Sequence, residues 1–192
     1  MVEHAAPILV ERRLRETVFC VAGRIGATNR WPTARPGAPE VQLADAGALS
    51  MLASAGFEIG AHGTDHEPFD AVTGAAIRRE VADARASLEA RVGVRVGSVA
   101  YPYGALPSAA ALAAVRETYT TAVTTRIGRV DVRSDPYALP RVDAHYVRSP
   151  RMFRAVLDGG ANGYLALRRT AALARRKVVL DYARRPREVA GS

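Results

Sequence analysis

Short apolar, β-branched runs alternate along this chain with stretches of helical period, and that alternation constrains the fold more than any other feature. Residues 17–21 (Thr-Val-Phe-Cys-Val), 57–61, 96–101 and 120–124 each read as buried strands. Residues 3–13, 43–55, 73–92 and about 107–119 read as helices, the last with Pro107 suited to its first turn. In the helix over 73–92, Ile77, Val81, Ala84 and Leu88 share one stripe, and Arg78, Arg79, Glu80, Asp83 and Arg85 fall off it. A repeated β-α order predicts an α/β fold, a parallel sheet covered by helices. Two longer loops, 28–42 and 126–136, are candidates for the rim of a site.

At 192 residues, 48% hydrophobic and 24% charged, the chain can close one core without cross-links. Its single cysteine, Cys20, excludes an internal disulfide framework and any multi-cysteine zinc site. No run of eighteen apolar residues occurs, so no transmembrane segment is expected. The opening Met1-Val2-Glu3-His4 lacks the basic and apolar regions of a secretory signal. As written the chain reads as cytoplasmic, and a start further upstream would allow an extracytoplasmic location.

The net charge of +8 is unevenly placed: residues 148–192 hold 11 basic and 3 acidic side chains and carry the whole excess. This divides the chain into a charge-balanced domain, 1–147, and a basic helical extension, 148–192. In the extension, Arg168, Arg169, Arg175, Arg176 and Lys177 accompany Leu165, Leu167, Leu173, Val178 and Val179. That pattern suits an anionic membrane surface, or a solvated helix whose apolar side packs on the domain. No nucleic-acid-binding motif accompanies these arginines, so no specific nucleic-acid partner is expected.

Chemistry concentrates where strands end. His62-Gly63-Thr64-Asp65-His66 follows the second strand. Two imidazoles four residues apart on one helical turn stand about 5–6 Å apart at Cβ, close enough to share a metal, although surface or capping histidines give the same spacing. Ala100-Tyr101-Pro102-Tyr103-Gly104 closes the third strand. It can shape a substrate wall and present a backbone N–H, or serve as a packed turn.

Taken together, these segments resemble the polysaccharide deacetylase family, the NodB-homology enzymes of carbohydrate esterase family 4. Residues 58–66 (Glu-Ile-Gly-Ala-His-Gly-Thr-Asp-His) are similar to its second motif, and Ser98 to Gly104 to its third. Asn29-Arg30-Trp31 and the later Asp135-Pro136-Tyr137-Ala138-Leu139-Pro140-Arg141 fit the same text, so the resemblance spans about residues 5–143. It implies an irregular (β/α) barrel and a hydrolase that removes N-acetyl groups from a polysaccharide or oligosaccharide, releasing acetate and leaving an amine. It further implies a divalent metal, commonly zinc, held by two histidines, here His62 and His66, and by one aspartate, with a second aspartate as general base. By the same resemblance the backbone N–H of Tyr103 stabilises the oxyanion, and Tyr101, Pro102, Tyr103 and Trp31 line the substrate. A late family histidine acts as general acid; His145 is the candidate here.

The sequence departs from that pattern. The family's Asp-Asp motif and the strand that carries it precede the opening helix in relatives, and no Asp-Asp pair occurs in this chain. The expectation is therefore a barrel short of its first strand, a metal site short of its third ligand, and a polypeptide that is weak or inactive as written, either a truncated reading of a longer gene or a non-catalytic glycan-binding relative. Asp70, Asp131 and Asp135 are conceivable substitutes without positional support. Gly63 stands where Ser or Thr is usual, removing a hydroxyl that could orient the loop. No arginine lies near 98–100 of the kind that orients the base.

Overall fold

The computed structural model describes residues 3–31, 33 and 37–171. Its centre is a five-stranded, wholly parallel sheet of β1 (Thr17–Cys20), β2 (Glu58–Ala61), β3 (Ser98–Ala100), β4 (Thr121–Ile127) and β5 (Leu139–Arg141), ordered as in the sequence. Four strands were legible from their apolar runs. β5 was not, because a three-residue strand containing Pro140 gives no periodic signal. An order that never reverses has no switch point, so the sheet winds progressively, as in a barrel.

The sheet is also curled. In a flat sheet with strands about 4.8 Å apart, β1 and β5 would lie some 19 Å from each other. Yet the Arg141 guanidinium, on β5, stands 5.9 Å from the centre of the Phe19 ring on β1. Side chains from the two edge strands therefore meet over one face of the sheet, as its curvature allows.

Helices α1 (Ala5–Glu11), α2 (Ala46–Ser54), α3 (Ala75–Arg78), α4 (Ala84–Val92) and α5 (Ala109–Thr118) occupy the expected stretches. Asp45 caps α2 by accepting the Ala48 N–H, and Ser108 caps α5 by accepting that of Ala111. Pro107 thus precedes the cap and lies outside the first helical turn. Leu49, Leu52, Ile59, Val81, Leu88, Val99 and Val115 form the core between helices and sheet.

The helix expected over 73–92 is interrupted by one π-helical turn, Arg79–Asp83. Glu80, expected on the solvated side, is fully buried there. Position explains it: Glu80 follows Ile77 by three residues and precedes Ala84 by four, so it borders the apolar stripe.

Beyond β5, α6 (Pro150–Leu157) and a helical stretch over 162–171 follow. Leu165 is buried, the Tyr164 hydroxyl donates to the Tyr146 carbonyl at 2.9 Å, and the Arg168 guanidinium lies 4.9 Å from the Tyr146 ring. One of the arginines considered for a membrane surface is thus engaged with the domain, while Arg169 and Leu167 are exposed. Arg175, Arg176, Lys177, Leu173, Val178 and Val179 lie outside the described residues. No described helix is long and apolar enough to cross a membrane.

Candidate functional site

Three chain segments leave the C-terminal ends of adjacent parallel strands and meet: residues 21–24 after β1, 62–66 after β2 and 101–104 after β3. The 62–66 loop is tied to its neighbours through its backbone. The Ala22 and Gly23 N–H groups donate to the Gly63 and Thr64 carbonyls at 2.9 and 3.0 Å, and the His62 N–H donates to Cys20 at 2.8 Å.

Glu80 completes the anchorage from below. Its carboxylate accepts the Thr64 N–H at 3.0 Å and the Asp65 N–H at 3.1 Å. Burial pushes its pKa up and the backbone N–H groups pull it down, the first effect being larger. The approach is possible only at glycine: Gly63 has φ 79°, and a Cβ there would sit 2.5 Å from Glu80 Oε2. Gly63 is therefore not merely a lost hydroxyl, since a carboxylate orients the loop in its place. Asp65 pairs with Arg79 at 2.7 Å.

Within this frame the two histidines converge. His62 Nδ1–H donates to the Ala100 carbonyl at 2.7 Å, which leaves Nε2 with its lone pair. That nitrogen lies 3.1 Å from Nε2 of His66. Burial, reinforced by His62, holds the His66 pKa down to about 3, and burial lowers that of His62 as well, so both rings are neutral near pH 7. His66 is 7% exposed and its Nδ1 has no hydrogen-bond partner.

Aromatic rings fix His66 from two sides. Trp31 stacks on it with centroids 4.3 Å apart, and Tyr103 meets it edge-on at 4.7 Å. The Tyr103 hydroxyl donates to the Thr33 carbonyl at 2.7 Å. Both His66 and Tyr103 adopt left-handed backbone, φ 62° and 57°. Trp31 and His62 also line a cleft of about 620 Å³ with Arg24, Phe19 and Gln42 among its walls.

The residues expected at the site divide. His62, His66, Trp31 and Tyr103 come together. Tyr101 does not reach the surface: it is 0% exposed, packs on Phe69 and donates its hydroxyl to Tyr137 at 2.8 Å, so its ring belongs to the core rather than to a substrate wall. Pro102 is buried beside it. His145 is exposed, with its backbone N–H bound by Asp143 and its ring against Tyr146, and it touches neither histidine. Glu80 and Thr33 were not anticipated; the i+3 spacing from Ile77 could have revealed Glu80, and nothing in the sequence marks Thr33.

Two imidazole nitrogens at about 2.0–2.1 Å from a tetrahedral zinc stand roughly 3.3 Å apart. The 3.1 Å separation of the two Nε2 atoms fits two ligands of one divalent cation. Among the described residues no third His, Cys, Asp or Glu joins them. Asp131 is held in its own turn by Ser134, and Asp135 faces Arg116.

The sequence model of the polysaccharide deacetylase family matches residues 1–122. The chain belongs to the polysaccharide deacetylase family. Among solved structures, IcaB from Ammonifex degensii is similar at 20% identity over 81% of this chain and 65% of its own, with a TM-score of 0.61. The BpsB deacetylase domain from Bordetella bronchiseptica is similar at 16% identity over 72% of this chain and 64% of its own, TM-score 0.59. The Streptococcus pyogenes deacetylase PplD, solved in complex with acetate, is similar at 20% identity over 72% of this chain and 56% of its own, TM-score 0.58. This chain therefore spans less than two thirds of each, and at these identities the likeness is one of fold. No curated protein matches the sequence.

Proposed function

We propose that the site is that of a metal-dependent deacetylase acting on N-acetylated polysaccharide or oligosaccharide, with His62 and His66 as two ligands of a divalent cation such as zinc. The observation that carries this reading is the pair of neutral imidazoles whose Nε2 atoms converge at 3.1 Å at the C-terminal ends of parallel strands. A cation bound there would polarise an amide carbonyl and lower the pKa of a water.

The chain's own residues do the positioning. The Ala100 carbonyl holds His62 in the tautomer that presents Nε2, and Glu80 with Gly63 sets the loop that aims both rings. Trp31 and Tyr103 restrict His66 to one orientation and offer aromatic surface to a sugar. The Tyr103 backbone N–H is the donor assigned to the oxyanion that forms when the acetamide carbonyl is attacked. No general-acid part is assigned to His145, which is exposed and turned toward Tyr146.

A third ligand and a carboxylate base are absent from the described site. Loss of a general base costs about 10²–10⁴-fold in rate, so the 192-residue polypeptide is expected to be weak or inactive while retaining affinity for zinc. The same absence favours a second reading, a non-catalytic relative that binds glycan. Zinc titration of the wild type and of His62→Ala, together with acetate release from N-acetylglucosamine oligomers, separates them. Histidine-dependent zinc uptake with slow acetate release supports the deacetylase; oligomer binding without any release supports the second reading. No histidine-dependent zinc uptake and no release would falsify the first.

A further inference from the structure

After β5 the chain leaves large apolar side chains in water beside arginines that no acid neutralises. In α6, Met152, Ala155 and Val156 are half-buried, and the helix packs on the turn Ala144–Val147. Phe153 and Leu157, four residues apart and so on one face, are 51% and 63% exposed. Arg151 and Arg154, three apart, form the row beside that ridge, and Arg148 precedes the helix. None of the three arginines forms an ion pair with a described residue. Residues 148–171 hold five arginines against one acid, Asp158.

The loop after β4 extends this surface. The Arg129 guanidinium stands against Gly159, just past the end of α6, where an added Cβ would lie 2.7 Å from its Nη1. Val130 and Val132, next in that loop, are both exposed, the second completely. β4 runs parallel to β3, and β3 to β2, so this loop leaves the sheet at the end that carries His62.

We propose that α6 and the loop after β4 form a docking surface for an anionic lipid bilayer, with Phe153 and Leu157 entering the headgroup boundary and Arg151 and Arg154 on the lipid phosphates. Charge selects this occupant. A second copy of the chain would set two arginine-rich faces against each other, and like charges across an interface are costly. A soluble acidic polymer would satisfy the arginines and leave Leu157, Val130 and Val132 in water. A bilayer carrying negative headgroups receives both kinds of side chain, and a short amphipathic helix lies in its surface without spanning it. Docked in this way, the end of the sheet that carries His62 is held near the headgroups. The inference does not depend on the deacetylase reading.

The full 192-residue protein is sedimented with vesicles of phosphatidylcholine alone and of phosphatidylcholine mixed with phosphatidylglycerol. Binding is expected to the mixed vesicles only, and to weaken as salt is added. Arg151→Gln and Arg154→Gln should each reduce it about fivefold. Phe153→Ser combined with Leu157→Ser should reduce it about tenfold or more. Met51→Ala combined with Arg91→Gln, which removes an exposed apolar and an exposed basic side chain on other helices, should leave it unchanged. Phe153→Trp reads insertion directly: its fluorescence should be quenched by lipids brominated on the acyl chains, against the baseline of Trp31, the single native tryptophan. Thermal melting checks each variant, and the tryptophan variant keeps the test open if the serine variant unfolds. Equal binding by wild type and all α6 variants overturns the inference. So does binding that depends on the arginines alone without quenching, which would assign a soluble polyanion, and so does a dimer dissolved by the serine substitutions, which would assign a second copy. His62→Ala should bind vesicles as wild type does; vesicle binding without histidine-dependent zinc uptake would sink the deacetylase reading and leave this one standing, and zinc uptake without vesicle binding does the reverse.

Discussion

The edge of the Tyr103 ring meets the His66 imidazole with centroids 4.7 Å apart, and both residues hold left-handed backbone, φ 57° and 62°. For a residue with a Cβ that conformation costs about 1–3 kcal/mol. The surrounding contacts offset it: Trp31 stacked on His66, and Thr33 bound by the Tyr103 hydroxyl. Among non-glycine residues asparagine tolerates this backbone best and β-branched residues worst. His66→Asn is therefore expected to lose zinc binding and, with the ring contacts to Trp31 and Tyr103 gone, about 0.5–1.5 kcal/mol for each of them. His66→Val is expected to lose zinc binding and a further 1–3 kcal/mol or about that. Equal stability of the two variants would show that the strained backbone is not imposed by the fold.

The same histidine sets a pH dependence. Burial, then the proximity of His62, lowers the His66 pKa from 6.5 to about 3, and burial lowers that of His62 too. The unfolded chain takes up these protons near pH 6.5 and the folded one resists them. Stability is therefore fully present above pH 6.5 and is lost as the pH falls toward 3, with a slope of up to about 1.4 kcal/mol per pH unit for each histidine. Denaturant melts of the metal-free protein between pH 7.5 and 4 measure it. His66→Asn should remove the share of the slope due to that ring; an unchanged slope would mean that the ring is accessible to water in the folded protein.

Gly63 and Glu80 form one device, and a double-mutant cycle tests it. Gly63→Ala forces a Cβ to within 2.5 Å of Glu80 Oε2 at a φ of 79°, so a loss of about 1–3 kcal/mol is expected. Glu80→Ala leaves the Thr64 and Asp65 N–H groups without their acceptor, and bonds to a charged acceptor contribute about 1.5–3 kcal/mol each. With Glu80 already truncated the Cβ has room, so the double variant should lose less than the sum of the single ones. Strict additivity, read from urea midpoints, argues that the two residues are not in contact.

What could be read in the sequence and what could not follow from one physical distinction. The strands and their endings were visible because burial on both faces of a parallel sheet demands unbroken apolar runs, and the polar residues that interrupt them at 62–66 and 101–104 stand out. His62, His66 and Tyr103 could therefore be placed at one end of the sheet. A single tyrosine at a strand end carries no mark of which way its ring points, and the ring of Tyr101 points into the core. The i+3 and i+4 spacing of Glu80 from Ile77 and Ala84 puts it beside the apolar stripe, while its charge taken alone points to solvent. Thr33, the left-handed backbone of His66 and the reach of Arg141 across to Phe19 depend on contacts between segments distant in the chain, and no local pattern encodes them.

Trp31 separates a packing role from a binding one. Its ring stacks on His66 at 4.3 Å and an interplanar angle of 30°, and it also lines the cleft beside His62. Its loop is closed by a bridge between Thr28 and Gln42 and by the Asn29 amide donating to Pro39 at 3.0 Å, so the ring is carried on a fixed base. Removing the ring forfeits about 0.5–1.5 kcal/mol of aromatic contact with His66. It leaves the His62 bond to Ala100 and the Glu80 anchorage intact, so zinc affinity should change only a few-fold, by roughly the same free energy. If the exposed part of the ring receives sugar, Trp31→Ala should weaken N-acetylglucosamine oligomers by about tenfold, as loss of an aromatic anchor does, and Trp31→Phe should restore most of that. Calorimetry of zinc and of oligomer binding on the same variants reads both effects. Oligomer affinity that is unchanged in Trp31→Ala, alongside a large loss of zinc, would assign Trp31 to the support of His66 alone.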